Sequence, residues 1–357
     1  MNKDGNSNSP GLKDVFKDDF YIGVALSKDQ VCGKERETLY VLKKHFNSVT
    51  PENILKWEEV HPKPNEYNFE TVDKYVELGE KYNIFTIGHT LVWHLQTPDW
   101  VFKDVSGNWV DREGLLKRMK EHIFTVMERY KGKIHGWDVV NEAVDEEGSL
   151  RNSKWYEIIG EDYIQKAFEF AREADPDAEL YYNDYNFEKP FKCQGIMKLI
   201  ESLKERGIRI DGVGIQGHWF LEYPRLEEIE AYILALSRIG VKVIVSEMDI
   251  SVLPIYPVES EAVDISLLIP EFQRVHNPYV DGLPESVEKA LADRYVELFS
   301  LFHKYRENIK RVTLWAVHDR QTWRNYLPIS GRKDYPMLFD RNCKPKLALK
   351  SLIEHFK

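Results

Sequence analysis

Two glutamates, Glu142 and Glu247, stand at points where runs of apolar residues end. The first run, residues 136–144 (GWDVVNEAV), stops on an amide and a carboxylate, whereas a strand that merely leaves the core more often ends in turn residues. A pair of carboxylates about 5–5.5 Å apart performs retaining glycoside hydrolysis, in which one protonates the leaving oxygen and the other attacks the anomeric carbon. Either glutamate alone would more simply pair with a basic residue, but two of them on one aromatic-rich rim favour this chemistry.

A histidine is placed to support the second glutamate. Side chains alternate along a strand, so Glu247 and Asp249 share one face of their segment, and Gln216 and His218 share a face of the segment before it. A histidine between two carboxylates can hydrogen-bond the attacking group and be oriented by the second acid. Taken alone, His218 would more simply be a buried histidine with satisfied hydrogen bonds.

The spacing of possible ligands disfavours metal or cofactor chemistry. His89 and His94 lie five residues apart on an extended segment, hence on opposite faces, and neither HxH nor HExxH occurs. No GxSxG motif, P-loop or dinucleotide-binding fingerprint is present. We therefore expect an enzyme that uses neither a metal ion nor a cofactor.

The other residues near strand ends suit a sugar. Indole rings stack on the CH faces of sugar rings, and we expect Trp315 and Trp323 to face a ligand. Three other tryptophans are expected to fill the core: Trp57, Trp137 and Trp219. Sugar hydroxyl groups need hydrogen-bonding partners. Such partners are supplied by Glu52, Asn53, Lys56, His89, Asn141 and Gln216.

The elements that must position these residues form a repeating pattern of apolar runs and amphipathic helices. Helical periodicity is clear at residues 115–130 and 286–305, where apolar residues recur every three or four positions. Eight such units in one chain of this size predict a single-domain α/β fold, a (β/α)8 TIM barrel, with its active site at the carboxyl ends of the strands. The predicted strands are residues 21–26, 45–50, 85–93, 136–142, 179–185, 212–219, 241–249 and 312–319.

Composition limits the class of partner. With 59 acidic and 49 basic residues the formal net charge is −10, which disfavours nucleic acid and anionic membranes and suits a neutral ligand. The three cysteines form no disulfide framework, and no apolar run is long enough to insert into a membrane. Residues 1–11 are expected to be a flexible polar tail rather than a signal peptide, which leaves residues 12–357 as the catalytic barrel.

Seven ordered segments resemble the motifs of glycoside hydrolase family 10, whose members are endo-β-1,4-xylanases on a (β/α)8 barrel. The resemblance covers roughly residues 12 to 356, and seven motifs in order are far more specific than WDVVNE alone. The segments are FNSVTPENILKW, GHTLVWHLQTPDW, GWDVVNEAV, YYNDYN, GIQGHWF, VIVSEMDI and VTLWAVHDRQTWRN. The resemblance implies that Glu142 is the general acid/base, supported by Asn141. It implies that Glu247 is the nucleophile, held by His218 with Asp249 behind it.

The same resemblance implies four groups of sugar-binding residues. The xylose units on the non-reducing side would be bound by Glu52, Asn53 and Lys56. The subsite of bond cleavage would be lined by His89, Trp93, Gln96 and Gln216. The space that a C6 hydroxymethyl group needs would be crowded by Trp315 and Trp323. The leaving-group side would be reached by Tyr185 and Asn186.

Two features depart from the family pattern. Ser246 precedes Glu247 where the family often has threonine, and serine keeps the hydroxyl group. The segment 250–285 is unusually long for a loop between a strand and its helix. We expect this loop to lie on the catalytic face and to shape the subsites on the leaving-group side.

The sequence leaves two other functions open. A cellulase or mannanase on the same barrel is disfavoured because Trp323 and Gln96 would block the extra CH2OH group, and a carbohydrate-binding pseudoenzyme is disfavoured by the presence of both glutamates. The expected partner is xylan or xylo-oligosaccharide, bound by a monomer. A polymer cannot enter a cell, so we expect a secreted or periplasmic enzyme whose leader has been removed. The odd cysteine count keeps a cytoplasmic role in oligosaccharide trimming open.

Overall fold

Eight parallel strands close into a barrel in this computed structural model, which describes residues 9–256 and 263–357. The strands pair in chain order, and the last strand closes the barrel by pairing with both the seventh and the first. The predicted (β/α)8 barrel is therefore confirmed. The strands are β1 (Tyr21–Leu26), β2 (Ser48–Pro51), β3 (Phe85–Val92), β4 (Gly136–Asn141), β5 (Glu179–Asp184), β6 (Gly212–Ile215), β7 (Lys242–Ser251) and β8 (Ile309–Leu314).

A helix with one buried stripe follows each strand. The helix that follows β3 shows why: the Asp111 side chain accepts a hydrogen bond from Gly114 N–H (2.8 Å) at its start, and Leu115, Met119 and Ile123 then recur on its buried face. The helices are α1 (Arg36–His45), α2 (Glu70–Tyr82), α3 (Arg112–Arg129), α4 (Tyr163–Ala174), α5 (Pro190–Glu205), α6 (Leu226–Arg238), α7 (Glu285–Lys304) and α8 (Leu347–His355).

Shorter elements lie in the connections between these units. One-turn and two-turn helices span Leu12–Val15, Lys28–Val31, Trp57–Val60, Lys154–Ile159 and Pro270–His276. Single 3-10 turns span Asp99–Val101, Ile265–Leu267 and Trp323–Asn325. Short strands span His218–Phe220, Val263–Asp264 and Ile329–Ser330.

Three of the predicted strands differ from the observed ones by more than two residues at one end or are divided. His45 is the last residue of α1, so β2 begins three residues later than predicted, and β8 covers Ile309–Leu314 rather than 312–319. The predicted strand 212–219 is two elements, because Gly217 has a φ of +82° and turns the chain between Ile215 and His218–Phe220. Gln216 and His218 therefore do not share a face of one strand as predicted, although both side chains reach the same site.

The predicted tail and the predicted long loop are both described in part. Gly11 is buried and stands at the start of the helix Leu12–Val15, and residues 1–8 lie outside the described residues. In the loop, Val263–Asp264 pairs in parallel with Ile329–Ser330, which sets the segment against the chain that follows β8. The loop therefore lies beside the stretch that carries Trp323.

The hydrophobic core lies within the barrel and between the barrel and its helices. The predicted core tryptophans Trp57, Trp137 and Trp219 are buried, as expected. Polar residues at the carboxyl ends of the strands are also buried, which is unusual for groups that carry charge. Their partners therefore decide what this end of the barrel can do.

Candidate active site

Glu142 follows the last residue of β4 and has a left-handed backbone conformation, with φ of +57°. This conformation is uncommon for a residue with a side chain, and hydrogen bonds hold it here. The Glu142 N–H donates to the Asn183 carbonyl (2.8 Å), and Arg151 Nε donates to the Glu142 carbonyl (2.9 Å). The turn takes the carboxyl group out of the alternation of the strand and toward Trp93 and Gln216.

Three neutral donors reach the carboxyl group of Glu142. Gln216 Nε2 donates to Oε1 at 2.9 Å, Asn141 Nδ2 donates to the same oxygen at 3.2 Å, and Trp93 Nε1 donates to Oε2 at 2.8 Å. Burial raises the pKa of Glu142, and although the Gln216 hydrogen bond opposes this, the charges of Asp184 and Glu247 raise the pKa further. The group is therefore suited to carry a proton and to donate it.

Glu247 lies within β7 and is 5% exposed. Asn183 Nδ2 donates to Oε1 at 2.7 Å, and His218 Nε2 lies 3.3 Å from Oε2. Burial alone would raise the pKa of Glu247, but the hydrogen bond from His218 and the charges of His89 and His218 outweigh it and lower the pKa. This carboxyl group is therefore suited to stay ionised.

His218 is held between the two acids that the sequence assigned to it. Its Nδ1 lies 3.1 Å from Asp249 Oδ2, while its Nε2 faces Glu247. Burial alone would lower the pKa of His218, but Asp249 and Glu247 raise it to about 9. The imidazole is therefore cationic at neutral pH and donates to both carboxylates. Asp249 is itself fixed by Trp323 Nε1 (2.8 Å) and Arg324 Nε (2.7 Å).

Asn183 is a functional residue that the sequence prediction missed. Its Nδ2 donates to Glu247 Oε1 and also to Asn141 Oδ1 (2.9 Å), and Asn141 in turn donates to Glu142. Its Oδ1 accepts a hydrogen bond from Ser246 Oγ (2.6 Å). Two amides thus connect the two glutamates. The signal was the polar end of β5, but spacing alone does not show which of its residues turns inward.

Arg324 and Asp138 were also missed. Arg324 stands next to Trp323, which was predicted to face a ligand, and nothing in the spacing of Arg324 indicated a contact with Asp249. Asp138 Oδ2 lies 2.9 Å from His89 Nδ1, and both side chains are buried. Asp138 sits in the middle of an apolar run, which makes a buried acid there a signal that could have been used.

His89 and Trp315 pack against each other, and the charge of His89 acts on Glu247. Their rings meet edge to face with centroids 5.3 Å apart. Trp315 was predicted to face a ligand, and it is only 7% exposed, so at most one edge of the indole is open. Trp323 is half-buried, and its ring meets the His218 ring edge to face at 5.0 Å.

Lys56 links the acid/base side of the site to the residues predicted to bind sugar. Its Nζ donates to Asn53 Oδ1 at 2.9 Å and lies 4.8 Å from the centroid of the Trp93 ring. Burial lowers the pKa of Lys56, while Glu247, Glu52 and Glu142 favour its charged form. The cation thus compensates part of the negative charge of the site.

A cavity of about 430 Å³ continues from Glu52 and Asn53 toward the loop that follows β1. Glu52 is anchored there by Gln321 Nε2 (3.3 Å), and burial raises the pKa of Glu52. The other lining residues are Ser27, Lys28, Asp29, Glu35, Ile54, Glu59, His318, Arg320 and Gln321. The cavity therefore lies beside Glu52 and Asn53, which are predicted to bind sugar on the non-reducing side.

The residues predicted for the leaving-group side, Tyr185 and Asn186, directly follow β5 and contact residues that follow β4. The hydroxyl oxygen of Tyr185 accepts a hydrogen bond from Arg151 Nη2 (3.0 Å). Asn186 has a φ of +54°, and its Nδ2 donates to Glu146 Oε1 (3.3 Å). The predicted residue Gln96 also has a positive φ, +46°, and its carbonyl accepts from the Glu58 N–H (3.0 Å).

Three further properties of the described residues bear on the class of protein. Within residues 9–256 and 263–357, no three His, Cys, Asp or Glu side chains are grouped so that they could hold a metal ion. None of the helices in those ranges has the length and apolar character needed to cross a membrane. The thiols of Cys32, Cys193 and Cys343 are all free.

Comparison with known proteins identifies similar sequences along nearly the whole chain. The family model described as Glycosyl hydrolase family 10 matches residues 11–355. An endo-1,4-beta-xylanase A from Xylanibacter ruminicola is 42% identical over 350 residues, which cover 98% of this chain and 94% of that protein.

Solved structures agree with the sequence comparison. A GH10 endoxylanase retrieved from a sugarcane soil metagenome is 44% identical and superposes with a TM-score of 0.91. The match covers 97% of this chain and 99% of that chain. A second solved structure, of another protein and described as a mutant in complex with xylotriose, is 40% identical and has a TM-score of 0.85. That match covers 96% of this chain and 99% of that chain.

Proposed function

The chain belongs to glycosyl hydrolase family 10, and we propose that it is an endo-1,4-β-xylanase that cleaves internal β-1,4 bonds of xylan with retention of configuration. The observation that carries this proposal is the pair of carboxyl groups that two amides connect, with Glu142 among neutral donors and Glu247 beside His218. These surroundings shift the two pKa values in opposite directions, Glu142 upward and Glu247 downward. That split is what a retaining glycosidase requires, since one group must donate a proton while the other attacks.

In the first step, Glu247 attacks the anomeric carbon while Glu142 gives its proton to the leaving oxygen. The bond between that oxygen and the anomeric carbon breaks, and a covalent bond between the sugar and Glu247 forms. In the second step, Glu142, now ionised, takes a proton from water, and the resulting hydroxide equivalent displaces Glu247. The double displacement restores the original configuration and both protonation states.

The neighbours of each carboxyl group have separate roles in this scheme. Asn141, Trp93 and Gln216 orient Glu142, and their hydrogen bonds stabilise the negative charge that Glu142 carries after it has given up its proton. His218 and Asn183 orient Glu247. The buried position of Asp249 between Trp323 and Arg324 keeps His218 charged and fixed.

The sugar-binding roles in this proposal are those that the resemblance to the family implies. Glu52, Asn53 and Lys56 bind the sugars on the non-reducing side, next to the open cavity. The cleaved bond lies over His89, Trp93, Gln96 and Gln216. Trp315 and Trp323 fill the space that a C6 hydroxymethyl group would occupy, and Tyr185 and Asn186 face the leaving-group side. The loop at 250–285 shapes that side.

The expected substrate, location and assembly are part of the same proposal. The substrate is xylan or xylo-oligosaccharide, and the enzyme acts as a monomer. A polymeric substrate favours a secreted or periplasmic enzyme, and a cytoplasmic enzyme that trims imported oligosaccharides is the alternative. Size-exclusion chromatography with light scattering tests the first point, and fractionation of the source cells tests the second.

Release of reducing sugar from xylan, carboxymethylcellulose and mannan tests the activity. We expect turnover of xylan and little or none of the other two, because Trp323 and Trp315 leave no room for CH2OH. Equal turnover of cellulose or mannan would contradict the specificity, and binding without turnover would identify a carbohydrate-binding protein. Proton NMR of the first product distinguishes retention from inversion at the anomeric carbon.

A further inference from the structure

A buried ion pair lies directly behind the backbone of Glu142. Lys192 Nζ is 2.9 Å from Asp184 Oδ1, and neither side chain is exposed at all. Asp184 ends β5, and Lys192 lies in the first turn of α5. A cation in that turn faces the positive end of the helix dipole, and burying it costs additional free energy. Helix stability therefore does not explain why a lysine occupies this position.

One chain of hydrogen bonds connects the pair to the residue after Glu142. The Tyr182 hydroxyl donates to Asp184 Oδ2 at 2.5 Å, and the same hydroxyl oxygen accepts the N–H of Ala143 at 3.2 Å. The peptide group that follows the left-handed turn at Glu142 is thus held by a phenol whose orientation the Asp184 carboxylate sets.

A second chain reaches the carbonyl of Glu142 itself. The Tyr185 N–H donates to Asp184 Oδ1 (2.9 Å), and Lys192 Nζ lies 3.4 Å from the centroid of the Tyr185 ring. The Tyr185 hydroxyl oxygen accepts from Arg151 Nη2 (3.0 Å), and Arg151 Nε donates to the Glu142 carbonyl (2.9 Å). Both sides of the peptide unit after Glu142 therefore depend on the same ion pair.

The pair also belongs to the charges that face the Glu142 carboxyl group. These charges come from four elements: Asp184 on β5, Glu247 on β7, Lys56 after β2 and Arg151 after β4. The titratable and charged groups that face the pair itself are Glu146, Glu188, His94, Arg151, Tyr163, Tyr182 and Tyr185. Asp184 raises the pKa of Glu142, and Lys192 brings a compensating positive charge.

We propose that Asp184 and Lys192 are positioning residues for Glu142, which hold its strained turn and set the local electric field in which its carboxyl group donates and recovers a proton. This rests on the proposed role of Glu142 as the general acid/base. The pair touches neither the sugar nor the reacting atoms, so it acts only through the turn and through its charges.

The test is the pH profile of kcat/KM for a xylo-oligosaccharide, because its alkaline limb reports loss of the proton from Glu142. In Asp184→Asn the positive charge of Lys192 is no longer balanced, so Glu142 ionises more easily. We expect the alkaline limb to move to lower pH by roughly half to one pH unit. In Asp184→Asn/Lys192→Met both charges are gone, and we expect the limb to return toward its wild-type position even though kcat/KM stays reduced.

Asp319→Asn is the matched control. Asp319 forms another buried pair with a lysine, Lys346, at 3.0 Å, but on the opposite side of the barrel after β8. This variant loses a comparable ion pair, so we expect lower thermal stability and an unchanged alkaline limb. If Asp184→Asn does not fold, Glu146→Gln removes a half-buried negative charge 3.4 Å from Lys192 and should move the limb in the same direction by a smaller amount.

The outcomes separate this inference from the proposed function. If the wild-type protein does not hydrolyse xylo-oligosaccharides, the proposed function fails. If the wild-type protein is active but Asp184→Asn and Glu146→Gln lower kcat/KM without moving the alkaline limb, the inference is wrong and the pair is merely structural. The inference is equally wrong if the double variant leaves the limb where Asp184→Asn puts it, or if Asp319→Asn moves it as far.

Discussion

Glu142 and Glu247 are the same residue type and lie at the same end of the barrel, yet the pKa values of their carboxyl groups shift in opposite directions. Burial alone would raise the pKa of both carboxyl groups. The difference lies in the neighbours. Glu142 receives hydrogen bonds from neutral groups, and the charges of Asp184 and Glu247 lie near it, whereas Glu247 faces the cationic His218. Burial thus makes both groups sensitive to their neighbours, and the hydrogen bond from His218 with the charges of His89 and His218 favours the ionised form of Glu247.

The two carboxyl groups also differ in how the backbone presents them. Glu247 lies inside β7, where the pairing with β8 is irregular between Val245 and Met248, and its N–H donates to the Gln216 carbonyl (2.8 Å). Glu142 lies on a left-handed turn just beyond β4, where side chains such as Arg151 hold the peptide groups. The attacking group is therefore fixed by the barrel itself. The proton donor depends on a turn that must be supported separately.

The largest effect is expected when the ionised member of the pair is removed. Glu247→Ala loses the group that forms the covalent bond, so kcat should fall on the order of 10⁵-fold or more on every substrate. The measurement is hydrolysis of xylan and of an aryl β-xylobioside with an activated leaving group. If the aryl substrate is still turned over at a rate close to wild type, Glu247 is not the nucleophile.

The protonated member of the pair should be needed only where the leaving group needs a proton. Glu142→Ala should lower kcat/KM on xylan by about 10²–10⁴-fold. The first step with the activated aryl substrate should be much less affected, and the alkaline limb of the xylan profile should disappear. Equal losses on both substrates would remove the distinction between the two carboxyl groups.

Removal of the cation beside Glu247 should change how stability depends on pH. His218 has a pKa of about 9 in the folded protein against 6.5 as its ordinary value, so its stabilising effect is complete below pH 6.5 and is lost as the pH rises to about 9. Wild type should lose on the order of 3 kcal/mol more than His218→Gln across this window. Urea unfolding of both proteins at pH 6 and at pH 9.5 measures the difference. The same decline in both would show that His218 is not cationic in the fold.

The smallest effect is expected from one neutral donor on the acid/base side. Trp93→Phe keeps a ring beside Lys56 but loses the N–H that donates to Glu142 Oε2. Because that hydrogen bond lowers the pKa of Glu142, the alkaline limb should move to higher pH, with less than about a tenfold loss in kcat/KM. Trp109→Phe, at a tryptophan that is 54% exposed, is the control and should leave the profile unchanged. A shift to lower pH in Trp93→Phe would reverse the assigned role of this hydrogen bond.

The sequence predicted the barrel and the two glutamates because both are encoded in strong local patterns. Apolar runs alternate with amphipathic helices, and in such a barrel each strand end lies at the same rim, so Glu142 and Glu247 could be brought together without knowing any distance. His218 was also found, although for a partly wrong reason. Its strand is separate from β6, and it reaches Glu247 because Gly217 turns the chain.

The missed residues act through side-chain direction and long-range packing, which spacing does not encode. Arg324 stands beside Trp323 and Asn183 stands two residues before Tyr185, but which residue of each segment points into the site depends on the local turn. Trp315 was expected to face a ligand, and it is nearly covered. Its ring packs against His89, which lies in β3 and is far from Trp315 in the sequence. The roles assigned to the sugar-binding residues stay predictions.

The hydroxyl group of Ser246 lies behind the amide of Asn183, which supports the attacking carboxyl group. An asparagine amide has nearly the same shape whichever way it faces, so packing alone would let Asn183 turn its oxygen toward Glu247. The ionised carboxyl group of Glu247 only accepts hydrogen bonds, so the reversed amide would set two oxygens against each other there. In the observed orientation, Asn183 Oδ1 accepts from Ser246 Oγ. Loss of this hydroxyl would leave the two hydrogen bonds that Asn183 Nδ2 donates to Glu247 and Asn141, and these keep the amide in the same orientation. The negative charge of the attacking group thus selects the orientation of the amide that supports it, and Ser246 satisfies the amide oxygen on the other side.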